Sequence, residues 1–102
     1  MPRSVRFYQQ YFLEFYETQK SSVQVKIDYV LRLISELDQI PEKFLKHLEG
    51  TKGLYEIRVK SGHEIYRIFC FFDEGQIIIL LNAFQKKSQK TPKRELERAE
   101  RL

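Results

Sequence analysis

The residues best suited to chemistry in this sequence are cations. Arg58 and Arg67 flank a Ser61-Gly62 break inside residues 54–72, in the company of Glu56 and Lys60. Guanidinium groups present planar forks that match two phosphate oxygens at once. Lys86, Lys87 and Lys90 follow directly on an apolar run, and from Lys86 to Arg94 there are five Lys or Arg residues and no acid. A set of cations suits one reaction class well. RNA is cut when its own 2′-hydroxyl attacks the adjacent phosphate, which requires neither a protein nucleophile nor a metal. The protein must hold the backbone in line, neutralise the charge on the developing phosphorane and move two protons. Arg58 and Arg67 would supply the charge, Glu56 would be a base if Arg67 leaves it free, and a lysine with a lowered pKa would donate to the leaving 5′-oxygen. Lys86, Lys87 and Lys90 would hold backbone or serve in those proton transfers. The plainer alternative pairs Arg67 with Glu56 across two strands, for about 0.2–1 kcal/mol, and leaves the lysines as a solvated tail.

Other signatures are missing. His47 and His63 lack a second-ligand spacing, so no metal site is expected. No GxGxxG or GxxxxGK phosphate loop occurs, and no Ser-His-acid set stands in a strand-turn context, so no cofactor is expected. The lone Cys70, between Phe69 and Phe71, rules out an internal disulfide and reads as a small buried hydrophobe.

The candidate residues must be positioned by residues 54–72, whose alternation on both sides of Ser61-Gly62 predicts two half-buried strands in a hairpin. With Ser61-Gly62 as a two-residue loop, Lys60 faces His63, Arg58 faces Ile65 and Glu56 faces Arg67. Tyr55, Ile57, Val59, Tyr66 and Ile68 then form a core face, and Glu56, Arg58, Lys60 and Arg67 share the other. Residues 4–8 predict a short first strand, and Phe12, Phe15 and Tyr16 a helix over 9–19. Ser21 and Gln24 match a capping box. It would open a second helix with Val23, Ile27, Val30, Leu31, Ile34 and Leu37 on one stripe, ending near Asp38 ahead of Pro41.

Residues 41–53 read as a connection with one turn, and Asp73-Glu74-Gly75 as a three-residue hairpin loop. Residues 76–85, apolar almost throughout, predict a strand buried on both faces. Thr91 at an N-cap and Pro92 at the first helical position open a short last helix with Leu96, Ala99 and Leu102 inward. The expected fold is α+β in a single domain, 1–102. Its antiparallel-dominated four-stranded sheet carries an N-terminal αα-hairpin on one face and a short C-terminal helix.

Composition sets the frame. Among 102 residues, 42% are hydrophobic and 14% aromatic, as in an ordinary globular protein, and the net charge of +4 favours an acidic partner. The N-terminus has no apolar h-region, and the longest apolar run, Ile77 to Leu81, falls far short of the roughly 20 residues that span a bilayer. A cytoplasmic protein without a membrane partner is expected.

The order strand, two helices, three strands, short helix resembles the RelE/ParE toxin superfamily. Gly53-Leu54-Tyr55-Glu56-Ile57-Arg58-Val59-Lys60, Ile65-Tyr66-Arg67-Ile68-Phe69 and Leu80-Leu81-Asn82-Ala83-Phe84-Gln85-Lys86-Lys87 look like its HigB-like branch. The resemblance implies the toxin of a type II toxin-antitoxin system that enters the ribosomal A site, contacting rRNA, and cleaves mRNA as a metal-independent endoribonuclease. It also implies a helix-turn-helix antitoxin as partner. The family's basic sheet positions fall on Arg58 and Arg67, and its cationic segment after the last strand on Lys86 and Lys87. The expected catalytic set is therefore Arg58, Arg67, Lys87 and Glu56, with Lys60, Lys86 and Lys90 on the RNA backbone. Many ribonuclease members carry a tyrosine or histidine near the C-terminus, whereas nothing aromatic or imidazole follows Phe84 here. The superfamily also holds non-catalytic inhibitors of DNA gyrase, and an inactive antitoxin-binding relic is a third alternative.

Overall fold

The computed structural model describes residues 2–87 and 90–102. Its elements run β1 (Ser4–Phe7), α1 (Tyr11–Glu17), α2 (Ser21–Glu36), β2 (Leu45–His47), β3 (Leu54–Ser61), β4 (Glu64–Asp73), β5 (Ile77–Lys86) and α3 (Lys93–Arg101). The sheet has five strands in the order β1-β5-β4-β3-β2. Among the described strands only β1 pairs in parallel, against β5. The α+β class and the antiparallel dominance agree with the sequence, but the strand count does not. The extra strand is Leu45–His47 on the edge of β3, inside the expected connection. Three residues are too few to display an alternation.

The two helices cover one face of the sheet. Val23, Ile27, Val30 and Ile34 recur at helical spacing along α2 and pack with Phe12 of α1 onto Ile57, Val59, Tyr66, Ile68, Cys70, Ile78 and Leu80. Each fully buried aliphatic side chain there contributes about 1.5–3 kcal/mol relative to exposure. Cys70 is one of this group, and burial pushes its thiol pKa up, as befits an inert hydrophobe. On the opposite face, Leu54, Phe69, Leu81 and Phe84 pack with Leu96 and Ala99 of α3 and with Leu102 just beyond it. β5 thus has apolar contacts on both sides, which is why its sequence does not alternate.

The helix ends differ from expectation. Ser21 is already helical and Lys20 occupies the N-cap position, with no side-chain cap. The capping box does not form, because Gln24 Nε2 donates instead to Tyr16 O at 2.8 Å and ties α2 to the end of α1. At the other end of α2, Arg3 Nη1 donates to Ile34 O (3.0 Å) and Leu37 O (2.6 Å), while Nη2 donates to Asp38 O (3.0 Å). A guanidinium on carbonyls that have no helical partner also meets the negative end of the helix dipole. Arg3→Ala is expected to cost about 1–3 kcal/mol, read as a thermal midpoint lower by roughly 5–15 °C.

A second lock lies in the core. Tyr66, 1% exposed, donates its hydroxyl to Glu64 Oε2 at 2.6 Å, and Gln85 Nε2 donates to the same oxygen at 3.3 Å. Burial first, then the Glu64 hydrogen bond and charge, push the Tyr66 pKa up to about 12. A raised folded-state pKa means that the neutral phenol is the form that folding favours. Its contribution is whole below pH ~10, where the unfolded tyrosine ionises, and is lost as pH rises towards 12. In that window wild-type stability is expected to fall more steeply than that of Tyr66→Phe, by about 1.4 kcal/mol per pH unit. Chemical denaturation across pH 9–12 measures the difference.

Candidate anion site on the open sheet face

The central hairpin turns one residue later than Ser61-Gly62 suggests. Ser61 pairs with Glu64, leaving Gly62-His63 as the loop, and Gly62 takes φ +61°. Glycine at the first loop position supplies that left-handed conformation without steric cost. The consequence is chemical. Arg58 faces Arg67, Lys60 faces Ile65 and Glu56 faces Phe69. Which side chains share a face does not change, because each strand keeps its own period of two. The next hairpin shifts too: Asp73 pairs with Ile77, and the loop becomes 74–76.

A bulge then aligns β5. Ile68 pairs with Ala83 and Cys70 with Leu80, so Leu81 and Asn82 together oppose Phe69. The extra residue reverses the alternation of everything beyond it. Leu80 and Ala83 belong to the helix-side core, whereas Leu81 and Phe84 face α3. Lys86 consequently lies on the Arg67 face. Asn82 points towards α3, where its Nδ2 donates to Glu95 O (3.1 Å) and Glu95 Oε1 (3.0 Å).

The open face therefore reads in cross-strand rows: Lys46 beside Glu56, Arg58 beside Arg67, and Lys60, Ile65 and Lys86 together. Glu56 is the hub and is 2% exposed. Arg58 Nε donates to its Oε1 at 3.2 Å, and Thr91 Oγ1 donates to Oε2 at 3.2 Å. Arg67 Nε lies 3.0 Å from the same Oε1, an ion-pair distance, but its N–H finds no hydrogen-bond acceptor among the described residues. Arg67 Nη1 donates to Tyr66 O at 3.3 Å. One carboxylate thus serves two guanidiniums, and with Lys46 and Lys86 nearby the cluster keeps an excess of positive charge. Burial lowers the Arg67 pKa; Glu56 opposes that shift and Arg58 adds to it. Lys86 is also lowered, first by burial and then by Arg67, with Arg58 and Lys46 adding to the shift and Glu56 opposing it.

The structure brings Glu56, Arg58, Arg67 and Lys86 together and keeps Lys60, exposed, on the same face. Lys87 lies outside the strand and is exposed, as is Lys90. Two members of the cluster were not anticipated. Lys46 rides on the short β2, and Thr91, expected to cap α3, gives its hydroxyl to Glu56 while Pro92 takes the N-cap position. Among the described residues no group of three or more His, Cys, Asp or Glu side chains gathers as a metal site would require. No helix among them is long and apolar enough to cross a membrane.

In overall shape the chain is similar to a chain in the crystal structure of an archaeal RelE–RelB complex from Pyrococcus horikoshii OT3. The TM-score is 0.58 with 17% identity, covering 88% of this chain and all of the other. That likeness establishes a RelE-like fold. Compared with curated protein sequences, the chain has no significant match. At the level of family, residues 14–102 match the description "Phage derived protein Gp49-like", and the chain belongs to this Gp49-like family.

Proposed function

We propose that this protein is the toxin of a toxin-antitoxin pair, of the HigB-like kind, and that it cleaves mRNA on the ribosome in the cytoplasm by 2′-hydroxyl attack. The observation that carries the reading is the pair Arg58 and Arg67, side by side on a rigid sheet and anchored to one buried carboxylate. Anchoring fixes the guanidiniums before substrate arrives, so no reorganisation is needed when charge develops on the phosphorane. Glu56, held by Arg58, Arg67 and Thr91, acts as their counter-ion and positioning group rather than as the base that the sequence suggested.

The proton donor to the 5′-oxygen is Lys86 rather than Lys87. The bulge sets Lys86 on the arginine face, and burial together with the neighbouring cations lowers its pKa. Lys60, Lys87 and Lys90 guide the RNA backbone. The partner is an antitoxin with a helix-turn-helix domain, in keeping with the RelE–RelB pairing of the structural neighbour.

Purified protein added to translating ribosomes should yield mRNA cuts in register with codons. Intact mRNA with blocked DNA supercoiling would instead establish a gyrase inhibitor, and neither effect would leave an inactive antitoxin-binding protein. Lys86→Ala should slow cleavage about 10²–10⁴-fold. A protonated donor is lost as pH rises through its pKa, so the wild-type rate should fall on the alkaline side and the Lys86→Ala rate should not.

A further inference from the structure

We infer that a second RNA subsite lies in the cleft beside the open part of β3, where a nucleotide next to the scissile phosphate stacks on Tyr29. This rests on the proposed RNA-cleaving reading and assigns to it residues outside the arginine cluster.

β2 begins at Leu45 opposite Ile57, and one further bond, Arg58 N to Phe44 O at 2.8 Å, closes that side. Beyond it the β3 edge opens into a cleft of about 550 Å³, within the range of roughly 300–1,000 Å³ that holds a small organic group. Its far wall is Lys26 and Tyr29 from α2 with Lys43 and Phe44 from the segment before β2, and its near wall includes Arg58, Lys60 and Arg67. Among the described residues no carboxylate lines it. The cleft therefore begins at the proposed phosphate site and continues it with further cations.

Tyr29 is 51% exposed and is not among the hydrophobic side chains packed on the core, so its ring is accessible from the cleft. Lys26 Nζ lies 5.4 Å from the Tyr29 ring centre and Lys43 Nζ 4.9 Å from that of Phe44. Alternating rings and ammonium groups along a groove are what a single strand needs: a flat surface for a base and point charges for its phosphates. An acidic peptide would satisfy the charges, but the direct continuity with the arginine pair favours the strand that the arginines themselves hold.

The test measures binding of a fluorescein-labelled pentaribonucleotide to the intact protein at several salt concentrations, beside ribosome-dependent cleavage. Tyr29→Ala should weaken binding about tenfold or more, while Tyr29→Phe, which keeps the ring, should bind like wild type. Lys26→Ala with Lys43→Ala should reduce the slope of log Kd against log salt by about 1.4. In cleavage, Tyr29→Ala should raise KM and spare kcat. Failure of wild type to bind the oligonucleotide, or equal binding by Tyr29→Ala, overturns the inference. Tyr29-dependent binding of a poly-glutamate peptide without RNA binding overturns it in favour of a protein partner. Cleavage that needs Arg67 but not Tyr29 overturns it and leaves the proposed function standing. Tyr29-dependent RNA binding without cleavage removes the proposed function, and with it the placement beside a scissile phosphate, and leaves Tyr29 as part of an RNA-binding cleft only.

Discussion

Arg67→Ala is expected to abolish growth arrest on induced expression and to reduce mRNA cleavage by about 10²–10³-fold, the loss typical of one preorganised oxyanion donor. The protein should still fold. Glu56 would keep Arg58 at 3.2 Å and the Thr91 hydroxyl at 3.2 Å, so no buried charge is left unpaired. The stability loss is accordingly about 1–2 kcal/mol, below that of breaking an isolated buried pair. Circular dichroism and a thermal melt separate the two effects. Arg67→Lys should recover only part of the activity, since an ammonium keeps the charge but not the planar fork. A folded Arg67→Ala protein with undiminished toxicity would remove Arg67 from the site.

Glu56→Ala should have the opposite profile, dominated by stability. It removes the shared counter-ion from two guanidiniums, one of them only 8% exposed, beside two lysines. Breaking a buried pair from one side costs about 3–5 kcal/mol because the remaining charge stays buried and unpaired, which here lowers the thermal midpoint by roughly 15–25 °C. Two accompanying results identify the cause as like-charge repulsion rather than lost packing. Arg67→Ala added to Glu56→Ala should cost nothing further or restore some stability, a non-additivity that a double-mutant cycle reads directly. Inorganic phosphate should raise the midpoint of Glu56→Ala more than that of wild type, because an anion that binds only the folded cluster stabilises it by mass action. Simple additivity and no phosphate effect would contradict the shared-counter-ion arrangement.

Much of this site was legible in the sequence because strand alternation is a local property. Each half of the hairpin displays its own period of two, so the separation of Tyr55, Ile57 and Val59 from Glu56, Arg58 and Lys60 survives a change of turn. The pairing is not local. Moving the loop to Gly62-His63 exchanged a Glu56–Arg67 cross-strand pair for an Arg58–Arg67 pair, and the carboxylate became the anchor of both arginines. The burial of β5 on both faces could likewise be read from its unbroken apolar run.

The bulge at Leu81-Asn82 could not be read. Asn82 is the one polar residue inside the run, but a lone amide there reads equally well as an ordinary strand position, and the reversal is what turns Lys86 towards Arg67. Lys46 was hidden in a strand of three residues. Thr91 was misread because threonine before proline is a sound helix-start signal; here its hydroxyl bonds the Glu56 carboxylate from across the fold.

The most direct test of the central claim, a phosphate held by Arg58 and Arg67 and cut by the RNA's own 2′-hydroxyl, is a single-atom change in the substrate. An mRNA with one 2′-deoxynucleotide on the 5′ side of the mapped cut is presented to the protein on translating ribosomes, and the cleavage products are resolved. No cut is expected at that linkage, with 2′,3′-cyclic phosphate ends on the all-ribose control. Undiminished cleavage at the deoxy position would contradict the claim.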